Sequence, residues 1–134
     1  MARILAIDYG RARAGCALSD PSETLATPLP PIEEPESQQG LELIARLVSE
    51  GDVEVVVVGL PIGLGGKEGP QAAETRRFVE HLAAKVGVPV ETYDERFTTR
   101  LAQRSGGRSA EDSRAAAHLL SDYLKLRAGK QERE

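Results

Sequence analysis

Residues 3–20 read Arg3-Ile4-Leu5-Ala6-Ile7-Asp8-Tyr9-Gly10-Arg11-Ala12-Arg13-Ala14-Gly15-Cys16-Ala17-Leu18-Ser19-Asp20. Two mostly apolar runs flank a glycine turn, the pattern of a β-hairpin. Asp8 closes the first run and would project from a central strand. A carboxylate in that position is costly to bury without a partner, and a metal ion is one such partner. Arg11 and Arg13 follow at once, so the acid is poised in a basic setting. The plain alternative is a strand-terminating Asp-x-Gly turn.

Outward from the hairpin, Glu23–Thr27 reads as a third short antiparallel strand, ended by Pro28, Pro30 and Pro31, with a proline-rich loop to Pro35. Ser37 is a suitable helix cap, and Leu41, Ile44, Ala45 and Val48 follow at helical spacing until Gly51. The β-branched run Val53-Glu54-Val55-Val56-Val57-Val58 predicts a buried parallel strand. A glycine-rich loop spans Leu60 to Gly69, and Pro70 suits the first turn of a second helix carrying Phe78, Val79, Leu82, Ala83 and Val86. Val88–Tyr93 is a further strand with Asp94-Glu95-Arg96 at its end, and Thr98–Gln103 predicts a short helix. The last helix runs from about Ala110 to Ala128, with Asp112 heading a stripe of Ala115, Ala116, Leu119, Leu120 and Tyr123. A helix-capping role is the plain reading of Asp112, because the macrodipole favours an acid there. Residues 1–128 are expected to form one domain and 129–134 a frayed tail. The element order predicts an α/β fold, a mixed five-stranded sheet of three antiparallel strands followed by two parallel ones, flanked by helices.

Composition narrows the chemistry. The chain has 134 residues, 40% hydrophobic and 28% charged, and no run as long as a membrane span. No export signal is evident, so the cytoplasm is the expected compartment. The single cysteine, Cys16, excludes an internal disulfide and argues against a thiolate zinc site. His81 and His118 stand in separate helical stretches with no second nitrogen or sulfur ligand at metal spacing. Any metal is therefore expected to be a hard cation on carboxylates, Mg2+ or Mn2+. The net charge of −4 conceals an asymmetry. Between Ile32 and Glu54, Glu33, Glu34, Glu36, Glu42, Glu50, Asp52 and Glu54 face only Arg46, whereas Arg96, Arg100, Arg104 and Arg108 occur with no acid among them.

Four ordered motifs then carry a resemblance over nearly the whole chain. They are Asp8-x-Gly10-x-x-Arg13-x-Gly15-x-Ala17-x-Ser19-Asp20, then Val58-Gly59-Leu60-Pro61, then Asp94-Glu95-Arg96-Phe97-Thr98-Thr99, and last Asp112-x-x-Ala115-Ala116-x-x-Leu119-Leu120-x-x-Tyr123-Leu124. The chain resembles the YqgF-type pre-16S rRNA nucleases. That resemblance implies an RNase H-like fold, shared with Holliday-junction resolvases. It also implies that Asp8, Glu95 and Asp112 form an acidic triad that is both catalytic and metal-binding, with one or two Mg2+ or Mn2+ ions, and that Arg13 matches the arginine of the first motif. Two departures are evident: Gly63 stands where the family commonly has asparagine, and the segment between Glu95 and Asp112 is short and lacks the usual lysine-rich stretch.

The function that this resemblance implies is metal-dependent endonuclease cleavage of precursor 16S rRNA at its 5′ end, as part of ribosome biogenesis. Arg11, Arg13, Lys67, Arg96, Arg100, Arg104 and Arg108 would hold substrate phosphates without reading sequence. Nucleic acid is the expected partner, a membrane is not, and the protein is expected to be a monomer or weak homodimer. Cleavage of branched DNA by the same chemistry is the alternative, and a two-site dimer would favour it. A non-catalytic RNA-binding regulator is a third reading. A phosphotransferase of the actin and sugar-kinase superfold shares the Asp-x-Gly hairpin, but those proteins close two such domains around a nucleotide.

Overall fold

The hairpin forms where the two apolar runs flank the glycine turn. In the structure, a computed structural model describing residues 3–60, 69–94 and 109–133, β1 (Arg3–Asp8) pairs antiparallel with β2 (Arg13–Ser19), and Asp8 lies opposite Gly15. Gly10 is required in the turn, because a Cβ there would stand 2.5 Å from the Arg13 carbonyl oxygen. β4 (Val53–Leu60) joins the other side of β1 in parallel, and β5 (Val90–Asp94) joins β4 in parallel. With β3 (Ala26–Glu33) beside β2, the sheet order is β3-β2-β1-β4-β5, and β1 is its central strand.

β3 differs from the sequence reading. It starts at Ala26 and runs through all three prolines to Glu33. Its late start follows from Asp20, whose carboxylate accepts the Thr24 and Leu25 backbone N–H groups at 2.7 and 2.8 Å and the Ser22 and Thr24 hydroxyls, which ties residues 20–25 into a turn. The prolines are tolerated because β3 is an edge strand. The register passes from Cys16↔Leu29 to Ala14↔Ile32, so Pro30 and Pro31 together oppose Gly15 in a bulge, where ladder donors are not needed.

Strand parity divides the core in two. Leu5, Ile7, Cys16, Val56 and Val58 pack on one face with Ile44 and Val48 of α1 (Gln38–Glu50) and Phe78 and Leu82 of α2 (Pro70–Lys85). Ile4, Ala6, Ala17, Val55 and Val57 pack on the other with Ala116, Leu119, Leu120, Tyr123 and Leu124 of α3 (Ser109–Arg133). The valine run of β4 is buried on both faces, as a central parallel strand requires. The N-cap of α1 is Ser37, whose Oγ accepts the Gly40 N–H at 3.0 Å. Gly40 itself sits against the preceding connection: a Cβ would fall 2.3 Å from the Glu34 carbonyl oxygen. Pro70 occupies the first turn of α2, as expected, and that helix buries Ala72, Thr75, Phe78 and Leu82, while Ala83 is exposed.

α3 continues through Gly129 to Arg133 where the sequence reading has a frayed tail from 129. Lys130, Gln131, Glu132 and Arg133 are good helix formers, and together they outweigh the roughly 1 kcal/mol cost of one helical glycine. The glycine-rich loop over 61–68 and the short helix expected at Thr98–Gln103 lie outside the described residues. No helix among the described residues is long and apolar enough to cross a membrane.

Candidate functional site

The direction of α3 decides which side chains meet at one edge of the sheet. Near its end, Arg127 donates to Glu23 from Nε at 2.6 Å and to Glu54 from Nη2 at 3.0 Å. Glu54 is the second residue of β4, and Glu23 lies in the turn after β2, so this end of the helix sits at the amino edge of the parallel strands. Midway, the Tyr123 hydroxyl donates to Glu91 Oε1 at 3.0 Å and its ring meets Tyr93 edge-on at 6.1 Å. α3 therefore runs antiparallel to β1, β4 and β5. Fifteen residues separate Arg127 from Asp112, about 22 Å of helix, roughly the span of β4. The first turn of α3, which holds Asp112, thus returns to the carboxyl edge.

Asp8 is at that edge. It ends the central strand, is half-buried, and shares the parity of Ile4 and Ala6, which face α3. In the register, Ile7 aligns with Val58 and Val58 with Thr92, which sets Asp8 level with Tyr93, two strands and about 9.6 Å away. β5 then ends at Asp94, beside Leu60. The register thus sets the end of β1 and the end of β5 at one edge of the sheet, the edge toward which the amino-terminal half of α3 is directed. Glu95 lies outside the described residues, and for Asp112 the backbone position alone is described.

The electrostatics around Asp8 are more balanced than the sequence reading suggests. Arg11, 79% exposed, pairs with Glu74 of α2, and Arg13 Nε lies 3.7 Å from Glu33 Oε2. Each arginine near the turn thus faces a carboxylate from another element. Lys67, Arg96, Arg100, Arg104 and Arg108 lie outside the described residues, as does Gly63. Burial pushes the Cys16 thiol up to about 12, with the Asp8 charge adding to the shift, so Cys16 is an inert core residue. His118 is exposed on α3, and His81 Nδ1 lies 3.1 Å from Glu36 Oε2.

Sequence reasoning missed a polar cluster on the opposite face, directly behind Asp8. The Tyr9 ring stacks on Phe78 with centroids 4.6 Å apart, and its hydroxyl donates to Glu36. Burial, then the Glu36 hydrogen bond, raises the Tyr9 phenol to about 12. Burial works against ionisation of Glu36, but hydrogen bonds from Arg77, Tyr9 and His81 prevail and hold it below the usual carboxylate range. The signal was faint, because Tyr9, Glu36, Arg77 and His81 are brought together by tertiary packing alone. Two residues of the first motif prove structural: the buried Ser19 hydroxyl accepts the Ile4 N–H at 2.8 Å, and Asp20 shapes the turn after β2. An apolar groove of about 290 Å³ between β2, β3 and α1, lined by Leu18, Leu29, Leu43 and Leu47, lies toward the other end of the sheet.

Comparison with known proteins agrees with this architecture. The RuvX family, described as Holliday junction resolvase, matches residues 2–126. A protein of Chloroflexus aggregans named "Putative pre-16S rRNA nuclease" is 42% identical over 133 residues, covering 92% of this chain and 94% of its own length. A relative of the same name from Anaeromyxobacter sp. is 40% identical over 131 residues, covering 91% of this chain and 96% of its own. Among solved structures, T. thermophilus RuvC in complex with Holliday junction substrate superposes with a TM-score of 0.59 at 16% identity, covering 96% of this chain and 97% of that one. The last likeness speaks to the fold alone, an RNase H-like sheet with helices on both faces. From its length of match and its identity to these relatives, the chain belongs to the RuvX family.

Proposed function

We propose that this protein is a metal-dependent endonuclease that trims the 5′ end of precursor 16S rRNA in the cytoplasm, with residues 1–128 as its single nuclease domain. The observation that carries the reading is the placement of Asp8: the end of the central strand, on the α3 face, at the edge to which the first turn of α3 returns. Glu95 and Asp112 complete the catalytic set. Glu91 and Tyr93 of β5 face α3, and Glu95 follows in the sequence directly after the last residue of that strand. The names of the relatives support rRNA as the substrate.

Three carboxylates with no thiolate or imidazole beside them suit Mg2+ or Mn2+. Asp8 would be one donor of a set that Glu95 and Asp112 would finish; among the described residues alone there is no group of three potential ligands. One or two ions bound there would supply Lewis acidity for phosphodiester hydrolysis. The work of the chain is to hold Asp8 rigidly at a strand end, to bring two more carboxylates beside it, and to steer phosphates with Arg11, Arg13, Lys67, Arg96, Arg100, Arg104 and Arg108. Cleavage of branched DNA remains the second reading, favoured by the family description and the RuvC-like fold.

Incubating the purified protein with precursor 16S rRNA and with a four-way DNA junction, each with Mg2+, Mn2+ or chelator, decides between them. Metal-dependent cut ends on the rRNA support the proposal. Cleavage confined to the junction replaces it with the resolvase reading, and binding without cleavage in any condition refutes both.

A further inference from the structure

Tyr9 follows Asp8 directly, and strand alternation sends their side chains to opposite faces of the sheet. Asp8 belongs to the α3 side, whereas Tyr9 packs into the α1–α2 side against the fully buried Phe78. Stacking alone would be served by phenylalanine. Instead the hydroxyl makes a 2.5 Å hydrogen bond to Glu36 Oε1, and Glu36 is itself held by Arg77 Nε at 3.2 Å, Arg77 Nη2 at 3.3 Å and His81 Nδ1 at 3.1 Å. Three separate stretches meet in this cluster: the end of β1, the connection into α1, and α2. Gly10 comes next and offers the turn no side-chain hold, so Tyr9 is anchored at the last position before the chain reverses.

We propose that Glu36 is a positioning residue for Asp8, acting through Tyr9. The phenol bond pins the 8–9 peptide from behind the sheet while the Asp8 carboxylate serves the opposite face. Arg77 and His81 keep Glu36 from swinging away. A ring that is stacked but not hydrogen-bonded can still slide in its own plane; the directional bond removes that freedom. Reacting groups are sensitive at this scale, since a misplacement of about 1 Å costs on the order of 100-fold in rate. This inference rests on Asp8 belonging to the active site.

The test compares Tyr9→Phe, Glu36→Ala and Glu36→Gln with wild type, with Asp8→Asn as the reference for the site itself. Readouts are the steady-state constants on precursor 16S rRNA, Mn2+ affinity by calorimetry, and thermal melting. Tyr9→Phe keeps the Phe78 stack and should fold normally. Its kcat should fall about tenfold with KM nearly unchanged, and Mn2+ binding should weaken about threefold, as expected for a fraction of an ångström of displacement. Glu36→Ala should behave likewise, and Glu36→Gln, which keeps an acceptor oxygen for the phenol, should recover much of the lost kcat. If Asp8→Asn is inactive while Tyr9→Phe and Glu36→Ala retain wild-type kcat and Mn2+ affinity, the positioning role is overturned. A kcat loss that merely tracks a lowered melting temperature, with Glu36→Gln no better than Glu36→Ala, overturns it as well. If Asp8→Asn itself cleaves at the wild-type rate, the site assignment falls first and takes this inference with it.

Discussion

Glu74→Gln is expected to tighten substrate binding rather than loosen it. In the proposed function Arg11 would meet phosphates approaching Asp8, but its guanidinium is engaged by Glu74 of α2, and its side chain is 79% exposed against 25% for Glu74. An ion pair this open to solvent is worth about 0.2–1 kcal/mol. A phosphate that takes Arg11 from Glu74 must repay that amount, so releasing it corresponds to roughly a 1.4- to 5-fold lower Kd. Removing a negative charge from beside the incoming backbone acts in the same direction, within screening of about 10 Å at moderate salt. The combined expectation is about 2- to 10-fold tighter binding with little change in stability. Fluorescence anisotropy with labelled precursor rRNA, in chelator so that no cleavage occurs, measures it. The control is a double-mutant cycle: in an Arg11→Gln background the gain from Glu74→Gln should nearly vanish. Unchanged or weaker binding by Glu74→Gln, or an equal gain with Arg11 absent, would refute the reasoning.

Replacing Arg100, Arg104 and Arg108 together should weaken binding evenly across sequences, and each lost phosphate contact should reduce the slope of log K against log salt by about 0.7–0.9; a salt titration checks this. Leu119→Ala removes a fully buried side chain that fastens α3 to the sheet, and denaturant unfolding should show a loss of about 2–5 kcal/mol. Glu36 has a folded pKa depressed below its ordinary value of 4.5 by Arg77, Tyr9 and His81 against the opposing effect of burial, so its contribution is present above about pH 4.5 and disappears as pH falls through the depressed value. Glu36→Gln should therefore flatten the acid limb of the melting-temperature profile in that window.

The pattern of single residues explains what the sequence made legible. The apolar run Ile4-Leu5-Ala6-Ile7, the valine run of β4 and the capping Ser37 each report local structure, and the sheet follows from them because each signal acts within a few residues. In β3, proline reads locally as a strand terminator, yet edge position and a bulge make it tolerable. α3 likewise runs on past the point where a glycine reads as a stop, through Gly129 to Arg133. Asp8 was legible as a functional candidate because an acid ending an apolar strand is costly unless used. The ion pairs made across the fold were not legible. The pairing of Arg11 with Glu74 spans 63 residues and that of Arg77 with Glu36 spans 41, and no periodicity encodes contacts between side chains so far apart. Ser19 and Asp20 illustrate the converse, motif residues whose role is to satisfy a strand N–H and to tie a turn.

The central claim is that Asp8 serves the chemistry rather than the fold. Its most direct test is single-turnover cleavage of precursor 16S rRNA by Asp8→Asn with saturating Mg2+, alongside the thermal melt of the metal-free protein. The account predicts a rate at least about 100-fold lower with a melting temperature equal to or above wild type, because one carboxylate of the proposed, mutually repelling set would be gone. Cleavage at the wild-type rate, or a loss explained by unfolding, would contradict it.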